Sequence, residues 1–249
     1  MTGPETGVDA DALRAAMAQT ASRLTRTLAG SGGEDAALQS IVVGALQAIP
    51  AAAGASITLL DRRGAITTHA PSTELVAEID QVQAQIGEGP CIDAARDEEG
   101  PQSGVTDADD LATDPPWPRF AEKALAAGMH AVLSFQLVTG SSAGALNLYS
   151  TTAHGFAPAD HLIGGLFADQ AAVALAGARR VDHLSQALRT RDVIGQAKGI
   201  LMERFRLDDP QAFEMLVSAS QDTNLKLHDV AEWMVRESRE RYAQEAPDQ

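Results

Sequence analysis

From Pro158 to about Phe205 the chain reads as helix with no internal proline, and no other feature constrains the fold so strongly. This helix connects two stretches of different character. Before it, Leu13, Met17, Ala21, Leu24 and Leu28 recur at helical spacing within 9–29, and Gly30-Ser31-Gly32-Gly33 breaks the pattern. A second helix is predicted over about 35–53, carrying Leu38, Ile41, Val42, Leu46 and Ile49. The period then changes. ASITLLD (55–61) and GAITTHA (64–70) flank Arg62-Arg63-Gly64 and read as a hairpin. Residues 71–86 look helical, 87–118 read as loop, and 118–128 as helix. AVLSFQLV (131–138) alternates cleanly, Gly140-Ser141-Ser142 forms a turn, and GALNLYS (144–150) is the returning strand. Helices flanking two hairpins predict an α+β domain with an antiparallel sheet.

After the connecting helix the chain is all α. Asp208-Asp209-Pro210 is a start signal, with acidic caps followed by proline at the first helical position. Phe213, Leu216, Val217 and Ser220 share a face of the helix that follows. Asp222-Thr223-Asn224 punctuates the chain, and Leu227, Val230, Ala231, Met234 and Val235 then repeat at i, i+3, i+4, i+7, i+8. Val193, Ile194, Ala197, Ile200, Leu201 and Phe205 form the matching stripe at the end of the long helix. Three short amphipathic helices of this kind can bury one small core.

Charge divides the same way. The 249 residues carry a net charge of -15, which argues against general nucleic-acid binding. Residues 1–175 hold 8 Lys and Arg against 21 Asp and Glu, whereas 179–206 hold 7 basic residues against 3 acidic ones. An acidic body is therefore joined to a locally basic helix. On that helix Arg191, Lys198 and Met202 line up on the edge of the apolar stripe, beside Gly195 and Gly199. Two glycines inside a helix cost about 1 kcal/mol each relative to alanine. Helix packing through Gly195 and Gly199 accounts for that cost, and so does close approach of a phosphate chain beside two cations. Helical geometry alone weighs the two about evenly.

Two resemblances bear on these readings. GEGPC (87–91) with Asp93-Ala94, DLATDPPWPRF (110–120), GALNLYS (144–150) and FADQAA (167–172) resemble a GAF sensor domain over roughly 35–178. RDVIGQAKGILMERF (191–205), AFEMLVSASQDTN (212–224) and KLHDVAEWMV (226–235) resemble, in order and without gaps, the ANTAR RNA-binding domain. Together they resemble GAF and ANTAR domain-containing transcription antitermination regulators of the actinobacterial type. The implied fold is a GAF-like antiparallel sheet with flanking helices, then a long connecting helix and a three-helix ANTAR bundle. The implied organisation is an N-terminal helix and linker (1–33), a sensor (34–178), an RNA-binding domain (179–243) and a disordered tail (244–249). The implied partner is a pair of hairpins in leader RNA, whose binding prevents a terminator from forming. The implied RNA surface is Arg191, Gln196, Lys198, Gly199 and Arg204 on the long helix, with Thr223, Asn224 and Lys226 at the turn into the last. Arg and Lys suit phosphates, and Thr and Asn suit base edges in an unpaired loop. Gln196 projects away from Lys198 on the helical wheel, and Asn224 read locally is a cap for the last helix.

No cofactor is identified, although an unknown small-molecule ligand in the GAF-like domain fits a sensor. Cys91 is the one cysteine. It has no neighbouring His or Asp to complete a catalytic set and reads as a small, partly buried residue. The six histidines lack metal-ligand spacing. Asp107, Asp109, Asp110 and Asp114 read as a solvated loop rather than a cation site. Leu166, Val173, Val181, Leu184 and Leu188 lie near heptad spacing, and so do Leu13, Met17, Leu24 and Leu28. The two seams predict a homodimer through the N-terminal and connecting helices. The alternative is packing of the first helix within its own chain. No apolar run approaches a membrane span, and no signal peptide is visible, so a cytoplasmic non-enzyme is expected. A different class of reading is a small-molecule or redox sensor acting through protein contacts.

Overall fold

The computed structural model describes residues 10–29, 33–61, 63–96, 104–113, 116–138 and 143–245. By internal packing it divides into two compact units, Met1–Arg179 and Arg180–Gln249.

In the first unit a five-stranded sheet runs in the order β2-β1-β5-β4-β3, antiparallel throughout. The strands are β1 (Gly54–Leu60), β2 (Ile66–His69), β3 (Val105–Ala108), β4 (Ala131–Val138) and β5 (Ala143–Ser150). Helices α1 (Ala10–Ala29), α2 (Gly33–Ala48) and the first part of α6 (Pro158–Phe205) cover one face. There Ile57, Leu59, Leu133, Phe135, Leu137, Leu146 and Leu148 meet Leu38, Ile41, Val42, Phe167, Ala171 and Leu175. Helices α3 (Glu74–Ile86), α4 (Pro90–Arg96) and α5 (Pro118–Ala126) lie on the other. The alternation read in 131–138 therefore separates two buried faces.

Local chemistry explains most boundaries. Thr73 caps α3, its hydroxyl accepting from Val76 N at 3.2 Å, and Gly87 closes the helix at φ 72. Helix α2 stops at Ala48, short of the expected 53, because the proline at position 50 disfavours helical geometry at Ile49. The stretch 87–118 is not all loop. It holds α4, opened by Pro90, and the edge strand β3, each too short for a periodic pattern to reveal.

The first helix packs inside its own unit. Leu24 is buried, Leu13 and Met17 pack against the same core, and Thr20 lies so close to Gly44 of α2 that a Cβ there would meet its hydroxyl. The Leu13–Met17–Leu24 seam is thus intramolecular. The side chain of Leu28, the Gly30–Gly32 break, the 140–142 turn, Asp114 and residues 246–249 fall outside the described residues. Gln244 and Glu245, expected in a disordered tail, belong to the last helix. By length and composition α6 contains one stretch apolar enough to cross a membrane, contrary to the sequence expectation, but its Phe167, Ala171, Ala174 and Leu175 are buried in the core.

In the second unit the end of α6 packs with α7 (Asp209–Thr223) and α8 (Leu227–Glu245) around Ala197, Leu201, Ala212, Leu216, Val230, Ala231 and Val235. Asp208 and Gln211 make a reciprocal capping box at the start of α7, with bonds of 2.9 and 3.0 Å.

Candidate nucleic-acid interface

On α7 the core takes Ala212, Leu216 and, in part, Ala219. Phe213 lies about 100° further round and is exposed, which corrects its expected place on the core face. Phe205 is also exposed, at the end of α6 beyond Leu201, the last residue of that helix buried in the core.

Phe213 instead lines an open groove of about 710 Å³, together with Gln186, Ala187, Thr190, Arg191, Ile194, Gly195 and Lys198. A Cβ built on Gly195 would meet nothing within 4 Å, and the same holds at Gly199. The glycines are therefore not used for helix packing within the described chain, and their backbone is open. Arg191 is exposed and has no ion pair among the described residues, whereas the Lys198 ammonium donates to the Asp209 carboxylate. A phosphate reaching Lys198 must share it with Asp209.

The expected surface does not form one patch. Gln196 and Gly199 line a second groove of about 520 Å³, with Ile200, Glu203, Val235, Ser238 and Arg239. There the Arg239 guanidinium donates to Gln196 Oε1 at 3.3 Å. Arg204 is exposed, with its guanidinium 5.7 Å from the ring centroid of Phe205. At the turn, the Thr223 hydroxyl donates to Ala219 O at 2.6 Å, which occupies its proton. Asn224 ends α7 in a left-handed conformation, φ 54, so it caps the preceding helix rather than the next one. Lys226 is exposed, and its carbonyl accepts from Asp229 N and Val230 N. Phe213, Thr190 and Gln186 were missed as groove residues. No local signal placed Phe213 there, since 213, 216, 217 and 220 are as good a helical face as 212, 216 and 219, and only packing chose between them.

The first unit has its own chemistry. Ser56, Asn147 and Ser134 face one another across β1, β5 and β4 and are fully buried. Asn147 accepts from the Ser134 hydroxyl at 3.0 Å and donates to Ser56 at 3.2 Å and Thr58 at 3.3 Å. Beside this row Gln83 donates to the Tyr149 hydroxyl at 2.9 Å and accepts from Cys91 N at 3.1 Å. Tyr149 in turn donates to Asp80 Oδ1, while Asp80 Oδ2 has no hydrogen-bond partner among the described residues. Burial pushes the Asp80 carboxyl up to about 6, against the opposing effect of hydroxyls on Tyr149, Ser56 and Thr68. Burial also pushes the Cys91 thiol well above its ordinary value, with the Asp80 charge adding to it, so the nucleophilic thiolate is disfavoured.

The residues behind the first resemblance interlock here. Glu88 accepts from Arg119 N at 2.7 Å and Phe120 N at 3.3 Å, and Asp93 accepts from the Trp117 indole at 2.7 Å. Asp107, expected in a solvated loop, lies in β3 and pairs with His161 at 2.8 Å, and in the turn that follows Asp110 accepts from Ala112 N at 2.9 Å. Among the described residues no group of three or more His, Cys, Asp or Glu is placed to hold a metal ion. A small cleft of about 150 Å³ lies between α3 and α5, lined by Leu75, Ile79, Val82, Phe120 and Lys123 among others.

An antiparallel sheet with α3, α4 and α5 on one face and α1, α2 and the start of α6 on the other is an α+β fold, and the family model for the GAF domain matches residues 32–176. The chain belongs to the GAF domain family. It also carries an ANTAR domain, matched over residues 182–235. Among solved structures, the photosensory core module of the Stigmatella aurantiaca phytochrome is similar at 11% identity and TM-score 0.56, covering 88% of this chain and 47% of that one. The free methionine-R-sulfoxide reductase of Neisseria meningitidis is similar at 14% identity and TM-score 0.50, covering 73% and 99%. The LuxR family transcription factor CepR2 of Burkholderia cenocepacia is similar at 17% identity and TM-score 0.50, covering 68% and 98%. At these identities the likeness is one of fold. Among curated proteins none matches significantly.

Proposed function

We propose that this protein is a cytoplasmic, non-enzymatic transcription antiterminator of the actinobacterial type, in which the GAF domain senses a signal and the ANTAR domain binds paired hairpins in leader RNA. The observation that carries the reading is the α6 groove. In a chain of net charge -15 it offers Arg191, which has no ion pair among the described residues, and open backbone at Gly195. An acidic body that repels RNA elsewhere confines binding to that helix. Lys198 lines the same groove, and Arg204 and Lys226 are further exposed cations of the unit, while Gln196 and Gly199 belong to the second groove.

The test is equilibrium binding of a two-hairpin RNA across a salt series. Arg191→Ala weakens binding more than Lys198→Ala, because Asp209 already neutralises Lys198. Removing one cation from the phosphate backbone lowers the slope of log K against log salt by about 0.7 to 0.9. Equal affinity of wild type and the Arg191→Ala, Lys198→Ala double variant removes this surface. No hairpin binding at all, together with a stable protein partner, returns the alternative of a sensor acting through protein contacts.

The signal acts on the GAF domain as an unidentified small molecule. The α3–α5 cleft is below the roughly 300 Å³ at which small-molecule pockets begin, so a ligand seated there must open it.

The protein acts as a homodimer, because Leu166, Val173, Val181, Leu184 and Leu188 remain exposed along α6 near heptad spacing. Light scattering of the full chain then gives a dimer, and Leu184→Glu with Leu188→Glu gives a monomer. A wild-type monomer at high concentration rules the seam out.

A further inference from the structure

Phe213 is the aromatic residue of the α6 groove and lies outside the core of its unit. Phe213 is 42% exposed although its helix neighbours Ala212 and Leu216 are fully buried. It stands four residues after Asp209, on the same face of α7. Asp209 is tied to Lys198 of α6, and that pair holds the Phe213 face of α7 towards the α6 groove. The groove thus sets an aromatic side chain beside the Arg191 and Lys198 cations, with Thr190 and Gln186 as polar neighbours. Its floor at Gly195 has no side chain, and a Cβ there would have open space before it. Its volume of about 710 Å³ lies within the range of small-ligand sites, roughly 300–1,000 Å³.

We infer that Phe213 is a stacking platform for one unpaired base of the bound RNA, with Arg191 taking the adjoining phosphate. This rests on the RNA-binding reading above and specifies what part of the RNA the groove takes. A paired stem does not fit the chemistry. Its bases are stacked on one another, and the deep groove of A-form RNA is closed to side chains. A splayed loop base has a free π-face to lay on an aromatic ring and a phosphate on either side for a cation. Arg191, with no ion pair among the described residues, favours this polyanion over an apolar peptide, which offers its guanidinium no charge. Stacking is tolerant of base identity, so Phe213 supplies affinity for unpaired loops as a class, and Thr190 and Gln186 are placed to read the base edge.

The experiment compares the full chain with Phe213→Ala, Phe213→Leu and Phe213→Trp on two RNAs. One is a labelled hairpin with 2-aminopurine at successive loop positions, and the other is its stem as a blunt duplex. Loss of the ring in the Ala and Leu variants weakens hairpin binding about tenfold or more. Duplex binding and the salt slope stay unchanged, and Phe213→Trp retains wild-type affinity. One loop position changes its 2-aminopurine emission with wild type and Phe213→Trp but not with Phe213→Leu. Leucine keeps the apolar bulk, so a matched circular-dichroism melt separates lost stacking from lost folding. If wild type binds the hairpin and Phe213→Leu binds it equally, or loses hairpin and duplex alike, the platform is overturned and the RNA reading stands. If wild type binds no hairpin, both fall.

Discussion

Leu216→Ala unfolds most of the three-helix unit at physiological temperature. Leu216 is fully buried between α6, α7 and α8. Truncating such a leucine costs about 2–5 kcal/mol, the lost transfer energy plus the cavity left behind. Relaxation into the cavity is limited here. Three of the core neighbours are Ala197, Ala212 and Ala231, whose side chains have no reach to fill it. A core this small supplies only about 3–5 kcal/mol in total, so the change removes most of what the unit has. Far-UV circular dichroism and limited proteolysis of 206–245 read the result. Phe213→Ala is the control on the same helix. It is exposed, so it shifts stability by about 0.5 kcal/mol or less. Equal stability of the two variants contradicts the assigned core.

The second large effect is a pH dependence of the sensor unit that disappears in Asp80→Asn. Folding raises the Asp80 carboxyl from 3.8 to about 6 because burial disfavours its charge. The native state therefore holds a proton that the unfolded chain has already released. Between about pH 4 and pH 6 the unfolded state binds fewer protons, so stability falls as pH rises through that window. At 1.36 kcal/mol per unit the loss is about 3 kcal/mol, complete once pH exceeds the folded value. Asparagine keeps an acceptor for the Tyr149 hydroxyl and carries no charge to desolvate. Urea unfolding in a Trp233→Phe background, followed through buried Trp117, measures the sensor unit alone. The wild-type free energy relative to Asp80→Asn drops between pH 4 and 7. Parallel pH profiles for the two proteins defeat the assignment. The acid projects from α3 onto the Tyr149 hydroxyl, which also accepts from Gln83, and Gln83 in turn accepts from Cys91 N of α4. A ligand that supplies a donor to the unpartnered Oδ2 would relieve the same penalty.

Much of this was legible in the residues. The 48-residue α6 begins at Pro158 and ends at Phe205 as its pattern predicts, and Asp208-Asp209-Pro210 opens α7 through a capping box. Strands β1, β2, β4 and β5 fall where the two hairpin patterns place them. The short α4 and β3 did not show, since seven and four residues cannot establish a period. The buried polar row was hidden for another reason. Ser56, Thr58, Ser134 and Asn147 look like the solvent side of an alternating strand, and only the cover of α3, α4 and α5 turns that side inward.

The same distinction runs through the candidate site. The order of the longer elements, the cap that opens α7 and the basic character of 179–206 were determined by the amino-acid sequence alone, because propensity, capping and charge are local properties. The two grooves flanking α6, the Lys198–Asp209 pair and the exposure of Phe213 were decided only by the tertiary structure. Each depends on which face of one helix another helix covers. A rotation of about 100°, one residue's step, separates a core position from a groove wall.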